Sequence, residues 1–253
     1  MKSRYFIQLS FDGTFYHGWQ AQPKDITVQE ALQKALCVLL HDDIEITGCG
    51  RTDTGVHAKF YMAHFDSLHD NLDKNDAFVQ RMNGIIPPDI AIKKILKVTS
   101  EAHARYDAIN RTYEYRLTLE KDPFRQNYAY FLKGRPDVDK MKHASLLLLK
   151  YEDFKSFSKL HSDNKTTTCK IYKAEWIIDN MNLIFRITAD RFLRSMVRTI
   201  VGTLLKVGLG KMNIKTFDEI IKSQDRSKAA ALVPAHGLYL TDVVYPEKIF
   251  IGD

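Results

Sequence analysis

Cysteine is scarce in this chain: Cys37, Cys49 and Cys169 are the only three among 253 residues, and no two stand in C-x-x-C spacing. So few and so scattered a set excludes a disulfide framework and a cysteine-rich zinc site; free buried thiols in a reducing compartment are expected. No apolar run approaches the roughly 20 residues that a bilayer-spanning helix needs. The opening stretch, "MKSRYFIQLSFDG", has no apolar segment or small-residue cleavage site of a secretory signal, so a cytoplasmic protein without membrane attachment is expected. The two familiar phosphate loops are also missing. Gly48-x-Gly50 would need a third glycine where Asp53 stands, and no lysine occupies the place that G-x-x-x-x-G-K-[ST] requires.

What is present is ordinary globular composition with a basic surplus. Apolar residues make up 45% and charged residues 27%, and 37 Lys and Arg against 31 Asp and Glu leave a formal charge of +6. That surplus suits a polyanionic partner. Tyr5 to Phe11 alternates as a half-buried strand, and Thr27 and Glu30 form a T-x-x-E capping box ahead of an apolar-periodic helix to about Leu40. "IEITG" and "KFYMAHFD" read as strands, "NDAFVQRMNGIIP" as a helix stopped by Pro87 and Pro88, and "IAIKKILKVTS" as a fourth strand. After a polar crossing from Arg105 to Arg111 the cycle repeats. "TYEYRLTLE" is a strand, "DVDKMKHASLLLLK" a helix, and "CKIYKAEWIID" and "NLIFRITAD" are paired strands. "RFLRSMVRTIVGTLLKVGLG" is a long helix, "IKTFDEIIKS" a shorter one, and "GLYLTDVVY" the last strand. This order predicts an α+β chain of two ferredoxin-like (RRM-like) lobes, residues 1–104 and 105–253. The lobes would share a mixed, mainly antiparallel sheet flanked by helices.

The stretch richest in chemistry is "GCGRTDTGVHAKFYMAHFD", Gly48 to Asp66. A metal reading would recruit Cys49, Asp53, His57 and His64, but Gly55 interrupts any helix that would align them, and Arg51 would set a positive charge beside the ion. Ordinary hydrogen-bonded histidines account for His57 and His64 better. An acid–base reading uses more of the residues. Aspartate held in a tight glycine turn over a cleft loses hydration, which favours its neutral form, and a nearby cation opposes that. Arg51, two residues before Asp53 in an extended segment, would lie on its side. The pair is therefore expected to keep a carboxylate ionised; a loop-bracing salt bridge is the bland alternative.

Two further groups stand out. In "NRTYEYRL", Tyr113 and Tyr115 share a strand face with Arg111 and Arg116 nearby, a combination suited to base stacking and phosphate contact, though tyrosines in a sheet core read the same way. In the long helix, Arg191, Arg194 and Arg198 form a basic stripe opposite an apolar one of Leu193, Val197, Ile200 and Leu204.

Five stretches, "FDGTFYHGWQAQP", "GRTDTGVHA", "NRTYEYRL", "FLRSMVRTIVGTLLKVG" and "HGLYLTDVVYP", follow one another in an order that resembles the TruA family of tRNA pseudouridine synthases, from about Tyr5 to Pro246. The resemblance implies isomerisation of uridine to pseudouridine at positions 38, 39 and 40 of the tRNA anticodon arm, by a homodimer without metal or organic cofactor. By motif, Asp53 corresponds to the catalytic aspartate, Arg51 to its charge partner, and Tyr113 to the tyrosine that packs on the target uracil. Leu240 corresponds to an apolar wall of the pocket, and Arg198 lies in the matching basic helix. Thr54 stands where the family usually has alanine. Competing readings are an RNA-binding protein without catalysis and a metal-dependent hydrolase using Asp53, His57 and His64; insensitivity to chelators would separate the last.

Overall fold

The structure, a computed structural model, describes residues 2–159 and 166–251. Contacts divide the chain into two units, 1–109 with 240–253, and 110–239. Both are α+β with mainly antiparallel strands flanked by helices.

The first unit runs β1 (Ser3–Phe11), α1 (Val28–Leu40), β2 (Ile46–Gly48), β3 (His57–Ser67), α2 (Asp76–Ile85) and β4 (Ile90–Val98). β1 lies between β3 and β4, antiparallel to both, and β2 pairs with β3. This is the β-α-β-β-α-β arrangement expected from the sequence. α1 starts where Thr27 Oγ1 accepts the Glu30 amide at 3.4 Å, and its Val28, Leu32, Ala35 and Leu36 are buried at three- and four-residue spacing, with Leu40 one turn on. The capping box is only half made, since the Glu30 carboxylate turns outward to Lys34 at 2.8 Å. Asn75 caps α2 on the Phe78 amide at 2.9 Å. Tyr5, Ile7 and Leu9 are buried by alternation, yet Phe6 on the other face is buried too. The C-terminal segment is the reason: Tyr245 and Phe250 pack edge-on against Phe6, with centroids 5.2 and 6.1 Å away.

The second unit runs β5 (Asn110–Thr118), β6 (Tyr130–Phe131), α3 (Val138–Leu147), β7 (Ile171–Asp179), β8 (Asn182–Ala189), α4 (Met196–Gly208) and α5 (Ile214–Ser223), then enters β9 (Leu238–Val244). β8 lies between β5 and β7, antiparallel to both, while the short β6 adds in parallel to β5. α3 packs on α4, α5 and β7, and α4 packs on β5. A buried bond from Trp176 Nε1 to Ser145 Oγ, 3.1 Å, ties β7 to α3.

The grouping of residues departs from a single cut after residue 104. From Leu240 onward the chain belongs with the first unit. Tyr245 Oη donates to the Ala104 carbonyl at 2.5 Å, Ile109 N to Val244 O at 2.8 Å, and Ile251 N to Lys97 O at 2.9 Å. Among the described residues no helix is long and apolar enough to cross a membrane.

Candidate active site

Asp53 opens a tight turn between β2 and β3. The Val56 amide donates to the Asp53 carbonyl at 3.2 Å, and Gly55, third in the turn, has φ +78, which a side chain would disfavour. Thr54 is exposed. Asp53 itself is half-buried.

The turn is clamped by the loop after β1. Gly18, at φ +85, lies so close to Thr52 that a Cβ there would overlap the Thr52 carbonyl oxygen and sit 3.1 and 3.3 Å from the carbonyl carbons of Thr52 and Asp53. The Trp19 amide donates to Thr52 Oγ1 at 3.0 Å, and the Gly55 amide donates to the Tyr16 carbonyl at 3.2 Å. Tyr16 is anchored in turn, its hydroxyl donating to Asp89 at 2.5 Å. Burial and that carboxylate push the Tyr16 phenol well above its ordinary range, so it stays a neutral donor. Behind the turn Trp19 stacks on Tyr61 at 4.2 Å, and Tyr61 Oη donates to the Gly50 carbonyl. His57 is buried, with Nδ1 3.1 Å from the Gly13 amide and 3.0 Å from Asp12 Oδ1. His64 Nδ1 accepts the Ala104 amide at 3.1 Å. Both histidines thus carry ordinary structural bonds.

The expected Arg51–Asp53 ion pair is not formed. Arg51 is exposed, and no described residue pairs with its guanidinium. Residues 51–53 belong to no strand, so the two-residue alternation that would set both side chains on one side does not operate.

In the second unit the two tyrosines of β5 part company. Tyr115 is fully buried and donates to the Pro234 carbonyl at 2.8 Å; burial pushes its phenol far up. Tyr113, opposite Ile187 of β8, is half-buried, with the Phe192 ring edge-to-face at 5.1 Å. Arg111 donates to the Asp190 carbonyl at 2.9 Å. Arg116 faces the other way and joins Arg186 on Glu114, both at 2.8 Å, with Tyr239 under its guanidinium at 4.2 Å. Burial pushes the Glu114 carboxyl up, but the two guanidinium groups outweigh it and hold it below the ordinary range.

The basic stripe is also rearranged. α4 begins at Met196, after Ser195 at φ +64, so Arg191 and Arg194 precede the helix and only Arg198 lies on it. Arg191 is half-buried, its amide held by Asp190 Oδ1 at 2.7 Å, and Arg194 is exposed. Arg198 Nε donates to the Val233 carbonyl at 2.8 Å. The apolar stripe holds: Leu193, Val197, Ile200 and Leu204 are all buried. Leu240, on β9, is 2% exposed.

A protein of Bacteroides fragilis named tRNA pseudouridine synthase A is 50% identical to this chain over 248 residues, 98% of each. This chain belongs to the tRNA pseudouridine synthase A family. Family members from Bacteroides thetaiotaomicron (48% over 250 residues, 98% of this chain and 92% of that one) and Caldicellulosiruptor bescii (38% over 241 residues, 94% and 98%) match nearly end to end as well. The family model described as tRNA pseudouridine synthase matches residues 151–246. That stretch includes Arg198 and Leu240. The Asp53 turn and Tyr113 lie outside it, within the span of the full-length family relatives.

The glycine turn that holds Asp53 is where the sequence suggests it, but the residues that clamp it carry no local signal. Tyr16, Gly18, Trp19 and Thr52 were visible only as members of two separate motifs. The contact between Trp19 and Thr52 bridges 33 positions, and no local spacing encodes it.

Proposed function

We propose that this chain isomerises uridine to pseudouridine at positions 38, 39 and 40 of the tRNA anticodon arm, with Asp53 as the catalytic carboxylate. The observation that carries this reading is the clamped turn bearing Asp53, in a chain 50% identical to a named tRNA pseudouridine synthase A. Isomerisation must break the N1–C1′ bond, turn the uracil and rejoin it through C5, with loss of the C5 proton. Asp53 acts at the sugar, either by attack on C1′ or by removing a proton to leave a glycal. A turn braced on three sides suits this, because a shift of about 1 Å in a reacting group costs on the order of a hundredfold in rate.

Tyr113 stacks on the flipped uracil and, through its hydroxyl or a water, assists loss of the C5 proton. Stacking returns about 1–3 kcal/mol of the few spent on flipping. Leu240 supplies an apolar wall. Arg111, Arg191, Arg194 and Arg198 meet phosphates, and Arg51, exposed and not engaged with Asp53, joins them. The enzyme works as a homodimer in the cytoplasm, without metal or organic cofactor. The test is release of tritium from C5-labelled uridine in transcribed tRNA. Release matched mole for mole by pseudouridine at 38–40 supports the proposal, and no release from any of the three positions overturns it.

A further inference from the structure

Phe192 lay in one of the quoted motifs without a role of its own, and its position gives it one. Ala189, the last residue of β8, pairs with Arg111 at the head of β5. The next residue, Asp190, is fixed three ways: its carbonyl accepts Arg111 Nη1 at 2.9 Å, and its Oδ1 accepts the amides of Arg191 at 2.7 Å and Lys170 at 2.8 Å. Leu193 is buried, and its carbonyl takes the Met196 amide at 3.1 Å as the chain turns through left-handed Ser195 into α4. Between these two fixed points the Phe192 ring is carried onto Tyr113, with centroids 5.1 Å apart and planes at 87°. Edge-to-face contact sets the positive edge of one ring on the negative face of the other, so the pair resists rotation of either ring.

We propose that Phe192 is a positioning residue for the uridine platform: it fixes the plane of the Tyr113 ring so that a flipped uracil meets a preset face. This rests on the reading of Tyr113 as the stacking residue. A strand tyrosine at half exposure has a broad χ2 well, and the rigid neighbour narrows it before the substrate arrives. The benefit falls on the reacting base rather than on overall tRNA affinity, which phosphate contacts dominate.

Phe192→Leu, Phe192→Met and Phe192→Tyr would be assayed by tritium release from full-length tRNA, alongside Tyr113→Leu, with each variant's melting temperature measured. Methionine fills the site without a ring, so the test survives if the leucine variant folds poorly. The expected result is a kcat lowered roughly 3- to 10-fold in the leucine and methionine variants, KM within about twofold of wild type, and recovery in the tyrosine variant. Wild-type kcat in both ringless variants, with Tyr113→Leu impaired, overturns the role of Phe192 alone. A loss that the tyrosine variant fails to recover overturns it as well. Wild-type kcat in Tyr113→Leu overturns the stacking reading and the inference with it.

Discussion

Replacing Gly18 by alanine should slow pseudouridine formation about a hundredfold while tRNA binding stays nearly intact. Two effects combine at this position. Gly18 has φ +85, where a side chain costs roughly 1 kcal/mol or more. The added methyl would also overlap the Thr52 carbonyl oxygen, with the Thr52 and Asp53 carbonyl carbons at 3.1 and 3.3 Å, so the turn must retreat by about 1 Å. The neighbours that must yield are backbone atoms, which leaves no flexible side chain to absorb the overlap. If Asp53 has the proposed role, a displacement of that size in its carboxylate gives the hundredfold loss. The assay is kcat and KM by tritium release, with a thermal melt beside it. A destabilisation of about 1–3 kcal/mol should lower the Tm by roughly 3–10 °C. A melt lowered as expected with kcat within twofold of wild type would refute the reasoning, because the turn would then move without consequence for the reaction.

Burial, with the charges of His103 and Arg4 next, pushes the His64 imidazole down to about 4. The unfolded chain, with an ordinary histidine, therefore binds the extra proton between about pH 6.5 and 4, and stability present above that window drains away as pH falls through it, by at most about 3 kcal/mol. Urea unfolding of wild type and His64→Gln from pH 7.5 to 4.5 should show a steeper loss in the wild type; parallel curves would contradict this. Tyr113→Phe should keep tRNA affinity within about twofold and lose on the order of a hundredfold in kcat, the size of a missing acid–base group, whereas a wild-type kcat would leave the residue a stacking platform only. Binding should weaken steeply with salt, and Arg194→Ala should reduce the slope of log K against log salt by about one; an unchanged slope would remove Arg194 from the phosphate contacts.

Local periodicity carried most of the fold into the sequence. The alternation of Tyr5 to Phe11, the Thr27 cap and the stop before Pro87 all appear as expected, because each is set by residues within a turn or two. What escaped was non-local. The return of Tyr245 and Phe250 to Phe6 joins positions more than two hundred residues apart, and it is why Phe6 is buried against the alternation. β6 is only two residues long, too short for any pattern. The start of α4 was misplaced because an arginine-rich run looks helical, while Ser195 at positive φ gives no signal in its residue type. At the candidate site, the glycine turn holding Asp53 was legible, but the Arg51 ion pair expected beside it is not formed. Spacing by two suggested Arg51 only on the assumption of an extended strand, and residues 51–53 belong to no strand.

The central claim is that the Asp53 carboxylate carries out the chemistry. Asp53→Asn keeps the shape of the turn and removes the ionised oxygen, and the measurement is tritium release from C5-labelled tRNA, made on the same preparation whose tRNA affinity and melting temperature are determined. Affinity and Tm close to wild type with no detectable release is the predicted result. Release at the wild-type rate on full-length tRNA would contradict the assignment outright.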